Sequence, residues 1–202
     1  MFKLYYTPGA CSLAPHIVFR EAGIPFELVR VDLAQHMTEG GTDYFAVNSR
    51  GQVPVLELED GERLTEGAVI AQYAADQAGS TTLLPRGGMP RYRVIEWQSY
   101  VGTELHKSFG PLFVPAFPSE GKAFLRERLR EKYEWLEERL PRTGYLLDGS
   151  FTIADAYLFT ITRWSQVVDL DLSDLSRVGS YLDRVAARPA VQASLKAEGL
   201  SV

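Results

Sequence analysis

The sequence is poor in cysteine, in basic runs and in long apolar runs, and each shortage excludes a class of protein. Cys11 is the only cysteine among 202 residues, so no intramolecular disulfide can form and a reducing, cytoplasmic location is expected. The net charge is -5, which argues against nucleic acid as a partner. No run approaches the roughly 20 apolar residues that span a bilayer, so no membrane association is expected.

Metal-ligand patterns are also missing. The three histidines, His16, His36 and His106, are far apart in the sequence and have no cysteine or carboxylate at ligand spacing, so no metal site is predicted. What is present is ordinary for a globular protein, with 46% hydrophobic and 23% charged residues. A sizeable core is therefore expected.

Short apolar runs and turn residues predict alternating strands and helices in the first eighty residues. Strand, helix and strand in succession form a parallel βαβ unit, and Asp60-Gly61 predicts a hairpin turn. The resulting order is βαβαββα. The predicted elements are a strand at 2–6, a helix capped by Ser12 and ending at Gly23, a strand at 26–31, a short helix before Asn48, hairpin strands at 53–58 and ending near Leu64, and a helix at 68–73.

The composition changes at 79–82 and again at 85–90, which are rich in glycine, proline, serine and threonine. This change predicts a first domain at 1–80, a linker at 81–90 and a second domain at 91–202. The second domain reads as a bundle of helices. They are expected at 91–112, 120–140, 152–168, 175–187 and 190–197.

Cys11 is the first residue with chemical potential. It lies between a strand and a helix, where backbone N–H groups and the helix dipole favour a thiolate. The alternative is a buried structural cysteine. Val53-Pro54 opens a strand and can have a cis peptide bond, which would leave the Val53 backbone free to pair with an extended peptide; an edge-strand proline without a ligand is the alternative.

Two further groups could bind a ligand. Glu66-Gly67 precedes a helix, whose free N–H groups could hold a carboxylate while Glu66 holds an amine. The alternative is a favourable acidic residue at a helix N-terminus. Ser99, Thr103, His106 and Lys107 share one helix face, and a histidine titrates near neutral pH. A solvated polar stripe is the alternative for this group.

In combination, these segments resemble the bacterial beta-class glutathione transferases. Thr152 and Asp155 also form a predicted capping box that starts a buried helix. The matching segments, in order along nearly the whole chain, are Thr7-Pro8-Gly9-Ala10-Cys11-Ser12-Leu13, Gly51-Gln52-Val53-Pro54-Val55-Leu56, Leu64-Thr65-Glu66-Gly67, Thr103-Glu104-Leu105-His106-Lys107, Phe151 to Phe159, and Arg188-Pro189-Ala190-Val191.

The resemblance implies a thioredoxin-like first domain, a helical second domain and glutathione as co-substrate. It implies a homodimer, with Ala68, Ala71, Tyr73 and Ala75 as candidate contacts. It assigns catalysis to Cys11 and His106. The glutathione-binding residues would be Cys11, His36, Gln52, Val53, Glu66, Gly67, Ser99, Thr103, Glu104, Leu105 and His106, with Glu104 reaching across the dimer. The second-substrate pocket would comprise Tyr6, Ala10, His106 and Lys107.

The resemblance leaves the reaction open. Glutathione could be conjugated to a small hydrophobic electrophile, or Cys11 could exchange disulfides through a mixed disulfide with glutathione. A non-catalytic binding protein for stress, or a catabolic reductive dehalogenase, are the alternatives on this fold. His36 stands where the class often has lysine, and a neutral imidazole holds a carboxylate less firmly than an ammonium. Weaker, more pH-sensitive glutathione binding is therefore expected.

Overall fold

A mixed sheet organises the first half of the chain in the computed structural model, which describes residues 1–147 and 149–201. The strand order is β3-β2-β1-β4-β5, and only β1 and β2 are parallel. The predicted βαβ unit is confirmed. The strands are β1 (Phe2–Tyr6), β2 (Phe26–Asp32), β3 (Met37–Thr38), β4 (Val55–Glu57) and β5 (Arg63–Thr65), and the helices of this half are α1 (Leu13–Glu21) and α2 (Gly67–Gln77).

One local expectation in this half is confirmed and one is wrong. The short helix expected before Asn48 is a single 3₁₀ turn, Tyr44–Ala46, where the Asp43 carboxylate accepts the Phe45 N–H at 2.9 Å and Tyr44 is buried. Ser12, by contrast, does not cap α1 with its side chain. Its hydroxyl instead accepts the Thr7 N–H at 3.2 Å, which ties the start of the helix to the end of β1.

The second half is helical, as predicted, and two residues of that predicted domain, Asp148 and Val202, lie outside the described residues. The predicted single helix at 91–112 changes type along its length, and the predicted helix at 152–168 ends early. The observed elements are α3 (Gly88–Tyr100), a π-helical segment (Val101–His106), α4 (Lys107–Phe109), a 3₁₀ turn (Gly110–Phe113), α5 (Ser119–Arg139), α6 (Ile153–Thr162), a 3₁₀ turn (Arg163–Gln166), α7 (Ser176–Ala186) and α8 (Pro189–Ala197).

The predicted capping box at the start of α6 is confirmed. Asp155 is fully buried and its carboxylate accepts the Thr152 N–H at 2.8 Å, the Leu146 N–H at 2.9 Å and the Tyr181 O–H at 3.0 Å. Every residue of α6 is buried. The box therefore starts the central helix of the second half, since buried N–H groups need a partner.

One apolar core runs through both halves. Leu4 of β1 and Ile17 of α1 belong to the same buried cluster as Ile153 of α6 and Leu195 of α8, and α1 packs against α2, α6 and α8. Ala71 and Ala75 of α2 are also buried within this core. The expectation that these two alanines contact a second subunit is therefore wrong, whereas Ala68 and Tyr73 are only partly buried.

Candidate active site

A cleft of about 1070 Å³ lies between the sheet half and the helical half. It brings together most of the residues that the sequence nominated from both halves. The predicted residues on its wall are Ala10, Cys11, Gln52, Val53, Glu66, Gly67, Ser99, Thr103, His106 and Lys107. Residues from four separated segments therefore share one cavity, as a binding site built at a domain junction requires.

Cys11 faces this cleft from the loop between β1 and α1. The Sγ atom donates to the Val53 carbonyl at 3.4 Å, and the Val53–Pro54 peptide is cis. Burial raises the pKa of the Cys11 thiol to about 11, and the nearby Glu66 carboxylate adds to the rise. The expectation of a thiolate is therefore wrong, because desolvation outweighs the backbone N–H groups of Cys11 and Ser12, which lower the pKa.

The loop that carries Cys11 is held by the C-terminal part of the chain. Gly9 has φ +73°, its N–H donates to Glu198 Oε2 at 2.9 Å, and its carbonyl accepts the Trp164 Nε1–H at 2.8 Å. Glu198 is buried and also bonds His16 Nδ1 at 2.8 Å, while Arg20 Nε donates to His16 Nε2 at 2.9 Å. The position of Cys11 thus depends on contacts made almost two hundred residues away.

His106 lies on the opposite wall, on the π-helical segment. Its Nδ1 is 2.6 Å from the Tyr157 hydroxyl, and its ring packs edge-on against Trp164 with the centroids 5.0 Å apart. Burial, with a contribution from Lys107, lowers the pKa of His106 to about 4. The expectation that it titrates near neutral pH is wrong, because the imidazolium would be desolvated.

Glu66 and Gly67 lie at the start of α2, beside Cys11. Glu66 has φ 67°, and its carboxylate accepts from Arg50 Nη1 at 2.9 Å, while Arg50 Nη2 donates to Thr65 Oγ1 at 2.9 Å. A Cβ on Gly67 would lie 3.4 Å from Pro54. Arg50 lines the cleft but was missed from the sequence. Its only signal was a cation directly before the Gly51 motif.

Four nominated residues lie off this wall. Tyr6 is 8% exposed with its ring near His16, and Leu105 is completely buried in the core. Neither side chain can therefore serve the cleft of this subunit. Glu104 is exposed and pairs with Lys132 at 3.0 Å. It is not part of the cleft lining.

His36 is the fourth of these residues. It has φ 52°, its ring packs on Phe45 with centroids 4.3 Å apart, and its Nδ1 is buried without a hydrogen-bond partner among the described residues. A Cβ on Gly51 would lie 3.0 Å from that nitrogen. The half-buried imidazole thus packs against Gly51 of the cleft wall but is not itself part of the cleft lining.

The aromatic end of the cleft was missed from the sequence. Phe113 packs edge-on against Trp164, with centroids 5.3 Å apart, and Tyr157, Val167 and Leu200 complete this end. Tyr157 stood inside the capping-box segment, which was interpreted as structural only, and Leu200 carried no pattern. In the described part of the chain, no group of three or more His, Cys, Asp or Glu is placed to hold a metal ion.

Comparison with known proteins identifies the family. Residues 9–77 match the family model of the glutathione S-transferase N-terminal domain, and residues 72–193 match that of the C-terminal domain. The chain belongs to the glutathione S-transferase family. Over 98% of its length it is 50% identical to glutathione S-transferase GstA of Escherichia coli O157:H7, of which it covers 99%.

Solved structures narrow this to the bacterial beta class. The chain is 48% identical to BphK, a bacterial transferase solved as a ternary complex, with a TM-score of 0.95. It is 45% identical to a sphingomonad transferase complexed with glutathione, TM-score 0.93. It is 44% identical to the beta-class transferase of Sphingomonas chungbukensis, TM-score 0.94. In each of the three comparisons, the matched region covers 98% of this chain and 100% of the solved structure.

The predicted family and fold are thereby confirmed. The protein is a glutathione transferase with a thioredoxin-like N-terminal domain and a helical C-terminal domain, and glutathione is its co-substrate. The alternatives of a non-catalytic binding protein and a dehalogenase are not favoured by these relatives. None of the described helices has the length and apolar character to cross a membrane.

Proposed function

We propose that this transferase joins glutathione to small hydrophobic electrophiles in the cleft, with Cys11 and His106 acting as neutral hydrogen-bond donors to sulfur. One observation carries the proposal: a single cavity has a polar end at Glu66 and an aromatic end at Trp164, with Cys11 and His106 on the wall between them. Such a cavity suits a peptide thiol at one end and an apolar partner at the other.

The polar end suits the γ-glutamyl group. Glu66 offers a carboxylate for its ammonium, and the unpaired N–H groups at the start of α2 face its carboxylate. The Arg50 guanidinium, already bonded to Glu66, adds a second cation-to-anion contact. Gln52 and the Val53 backbone are proposed to pair with the middle of the tripeptide, and Ser99 and Thr103 to border it.

The chemistry between the two ends is a substitution or an addition. The glutathione thiol gives its proton to water, and the sulfur lone pair forms the new C–S bond. With an aryl halide, the halide leaves with the bonding pair. With an enone, the π pair moves to the carbonyl oxygen and water later protonates the α-carbon. Donors aimed at the sulfur lower the thiol pKa, because they stabilise the charged form.

Disulfide exchange through Cys11 is the weaker candidate. Burial raises the pKa of the Cys11 thiol to about 11, so little thiolate is present at pH 7, and the thiolate is the nucleophile. Cys11→Ala should therefore lose any residual exchange, whereas conjugation should continue at a reduced rate because one of the two donors to sulfur is removed.

The proposal extends to the quaternary structure and the cellular location. Ala68 and Tyr73 of α2 and the exposed Val69 are the contacts of a homodimer in which Glu104 reaches the partner's ligand. Light scattering at micromolar concentration should give twice the mass of 22.6 kDa. The single free cysteine favours a reducing, cytoplasmic compartment.

The function is tested by assaying conjugation of glutathione to an aryl chloride and to an enone. Saturation with glutathione is expected, and the dipeptide Cys-Gly, which lacks the γ-glutamyl group, should give far less activity. Binding to a glutathione resin without turnover on either electrophile would contradict the proposal and favour a binding protein.

A further inference from the structure

Within the described residues, Tyr157 is the one side chain that shares a hydrogen bond with His106. It lies on α6, its residue is 9% exposed, and its hydroxyl is 2.6 Å from His106 Nδ1. It makes no other hydrogen bond within residues 1–147 and 149–201, and a Cβ on Gly102 would lie 3.5 Å from the hydroxyl oxygen. Packing therefore fixes both the position of this hydroxyl and its hydrogen-bond partner.

The direction of this hydrogen bond follows from the available partners. A neutral imidazole carries one proton, on either Nδ1 or Nε2. If Nδ1–H donated to Tyr157, the phenol proton would have no protein acceptor among the described residues, and an unmade hydrogen bond at a largely buried site costs about 1–3 kcal/mol. If the phenol donates to Nδ1, both groups are satisfied. Burial also raises the pKa of Tyr157, so the phenol keeps its proton.

The second ring nitrogen then becomes a donor to the cleft. Nε2 has no partner in the described part of the chain, and His106 lines the cleft. Trp164, edge-on to the ring, fixes its plane and also holds the Gly9 carbonyl of the Cys11 loop. The low pKa of His106 keeps the ring neutral, so the position of its single proton decides whether it can donate.

We propose that Tyr157 is a positioning residue that fixes His106 as the Nε2–H tautomer and so presents a hydrogen-bond donor to the reacting atoms in the cleft. Without the phenol, the proton would distribute between the two nitrogens, and part of the enzyme would offer a lone pair where negative charge develops. The benefit for turnover rests on the proposed conjugation, whereas the tautomer is a property of the enzyme alone.

The tautomer can be measured directly. In protein labelled with ¹⁵N-histidine, an unprotonated ring nitrogen resonates far downfield of a protonated one. The native enzyme at neutral pH should show unprotonated Nδ1 and protonated Nε2 for His106. Tyr157→Phe should move the two shifts toward each other. A proton on Nδ1 in the native enzyme would overturn the inference. So would His106 shifts in the Tyr157→Phe variant that equal those of the native enzyme.

A matched control separates this effect from loss of packing. Tyr133 is also a buried tyrosine of the helical half, and its hydroxyl bonds Thr162 Oγ1 at 3.1 Å without touching His106. Tyr133→Phe should leave the His106 shifts and kcat unchanged. Tyr157→Phe should lower kcat about 3- to 10-fold with little change in the KM for glutathione. An equal loss of kcat in both variants would assign Tyr157 a structural role only.

A double-mutant cycle completes the test. A glutamine side chain has a fixed N–H donor and no tautomers. In the His106→Gln background, Tyr157→Phe should therefore have little further effect on kcat. If the two losses multiply, Tyr157 acts independently of the histidine and the inference fails. If the native enzyme conjugates no electrophile, the proposed function falls, but the shifts still decide the tautomer.

Discussion

At the scale of single residues, burial determines the reactivity of Cys11. Its position at a turn before a helix could be read from the sequence, and so could its place in the cleft. Its protonation state could not, because the pKa depends on how much protein surrounds the sulfur. Partial burial and the facing Glu66 carboxylate come from segments that the local pattern around Cys11 does not describe.

The raised pKa predicts how Cys11 responds to alkylation. Because only the thiolate reacts, its rate with iodoacetamide should rise about tenfold per pH unit between pH 7 and 10, without a plateau. Free glutathione, measured alongside, should level off once its own thiol is ionised. A plateau below pH 9 for the protein would show that the helix N-terminus prevails over burial. Circular dichroism at each pH checks that the enzyme stays folded.

Arg50 is predicted to contribute to glutathione binding rather than to stability. Its ion pair with Glu66 is half exposed, with 51% and 66% of the two side chains accessible, so its loss should cost less than about 1 kcal/mol of folding free energy. Arg50→Gln should raise the KM for glutathione about 3- to 10-fold, because a charge-assisted contact to the γ-glutamyl group is lost.

The control for this change is Arg93→Gln. Arg93 pairs with Glu96 on the exposed face of α3, and 57% of its side chain is accessible. The Arg93→Gln variant should have the same KM for glutathione as the native enzyme. Steady-state kinetics in both variants decide the matter: the same KM in both would remove Arg50 from the site.

At the scale of elements, periodicity predicted where helices lie but not how they are wound. The Glu- and Arg-rich face of α5 and the capping residues of α6 were sufficient to place those helices. The π-helical segment Val101–His106 was read as continuous α-helix, because π-winding has no sequence period of its own and is set by packing against α6. His106 lies at the end of that segment.

The capping box is predicted to contribute strongly to stability. Asp155→Asn keeps the side-chain volume but places an amide N–H₂ against either the Thr152 N–H or the Leu146 N–H, because these two groups donate to different oxygens of the carboxylate. The free energy of unfolding should fall by about 3 kcal/mol, measured by urea denaturation. Glu120→Gln, in the exposed first turn of α5, should cost under about 0.5 kcal/mol. Equal losses in the two variants would contradict this role.

At the scale of the whole molecule, the two halves were predicted but their junction was not. Spacing and composition describe residues that are neighbours in the sequence. The junction instead depends on pairs that are separated by most of the chain: the Gly9 N–H donates to Glu198, and Arg188 Nε donates to Glu21 at 2.6 Å. No local pattern predicts such pairs. The same contacts hold the Cys11 loop, so the geometry of the site is a property of the assembled halves.

The shared core predicts that both halves unfold as one cooperative unit. The chain reports on each half separately: its three tryptophans, Trp97, Trp135 and Trp164, lie in the helical half, and Cys11 lies in the sheet half. Tryptophan fluorescence and the thiol reactivity of Cys11 should therefore change at the same urea concentration. Midpoints that differ beyond error in the native protein would contradict a single unit.

Glu198→Gln tests the junction itself. The change keeps the side-chain volume but leaves either the Gly9 N–H or His16 facing an amide, in a position that is fully buried. The free energy of unfolding, measured by urea denaturation, should fall by about 2–3 kcal/mol. The kcat should also fall, because the Cys11 loop loses its anchor. If the variant keeps native kcat while losing that stability, the junction holds the halves together without positioning the thiol.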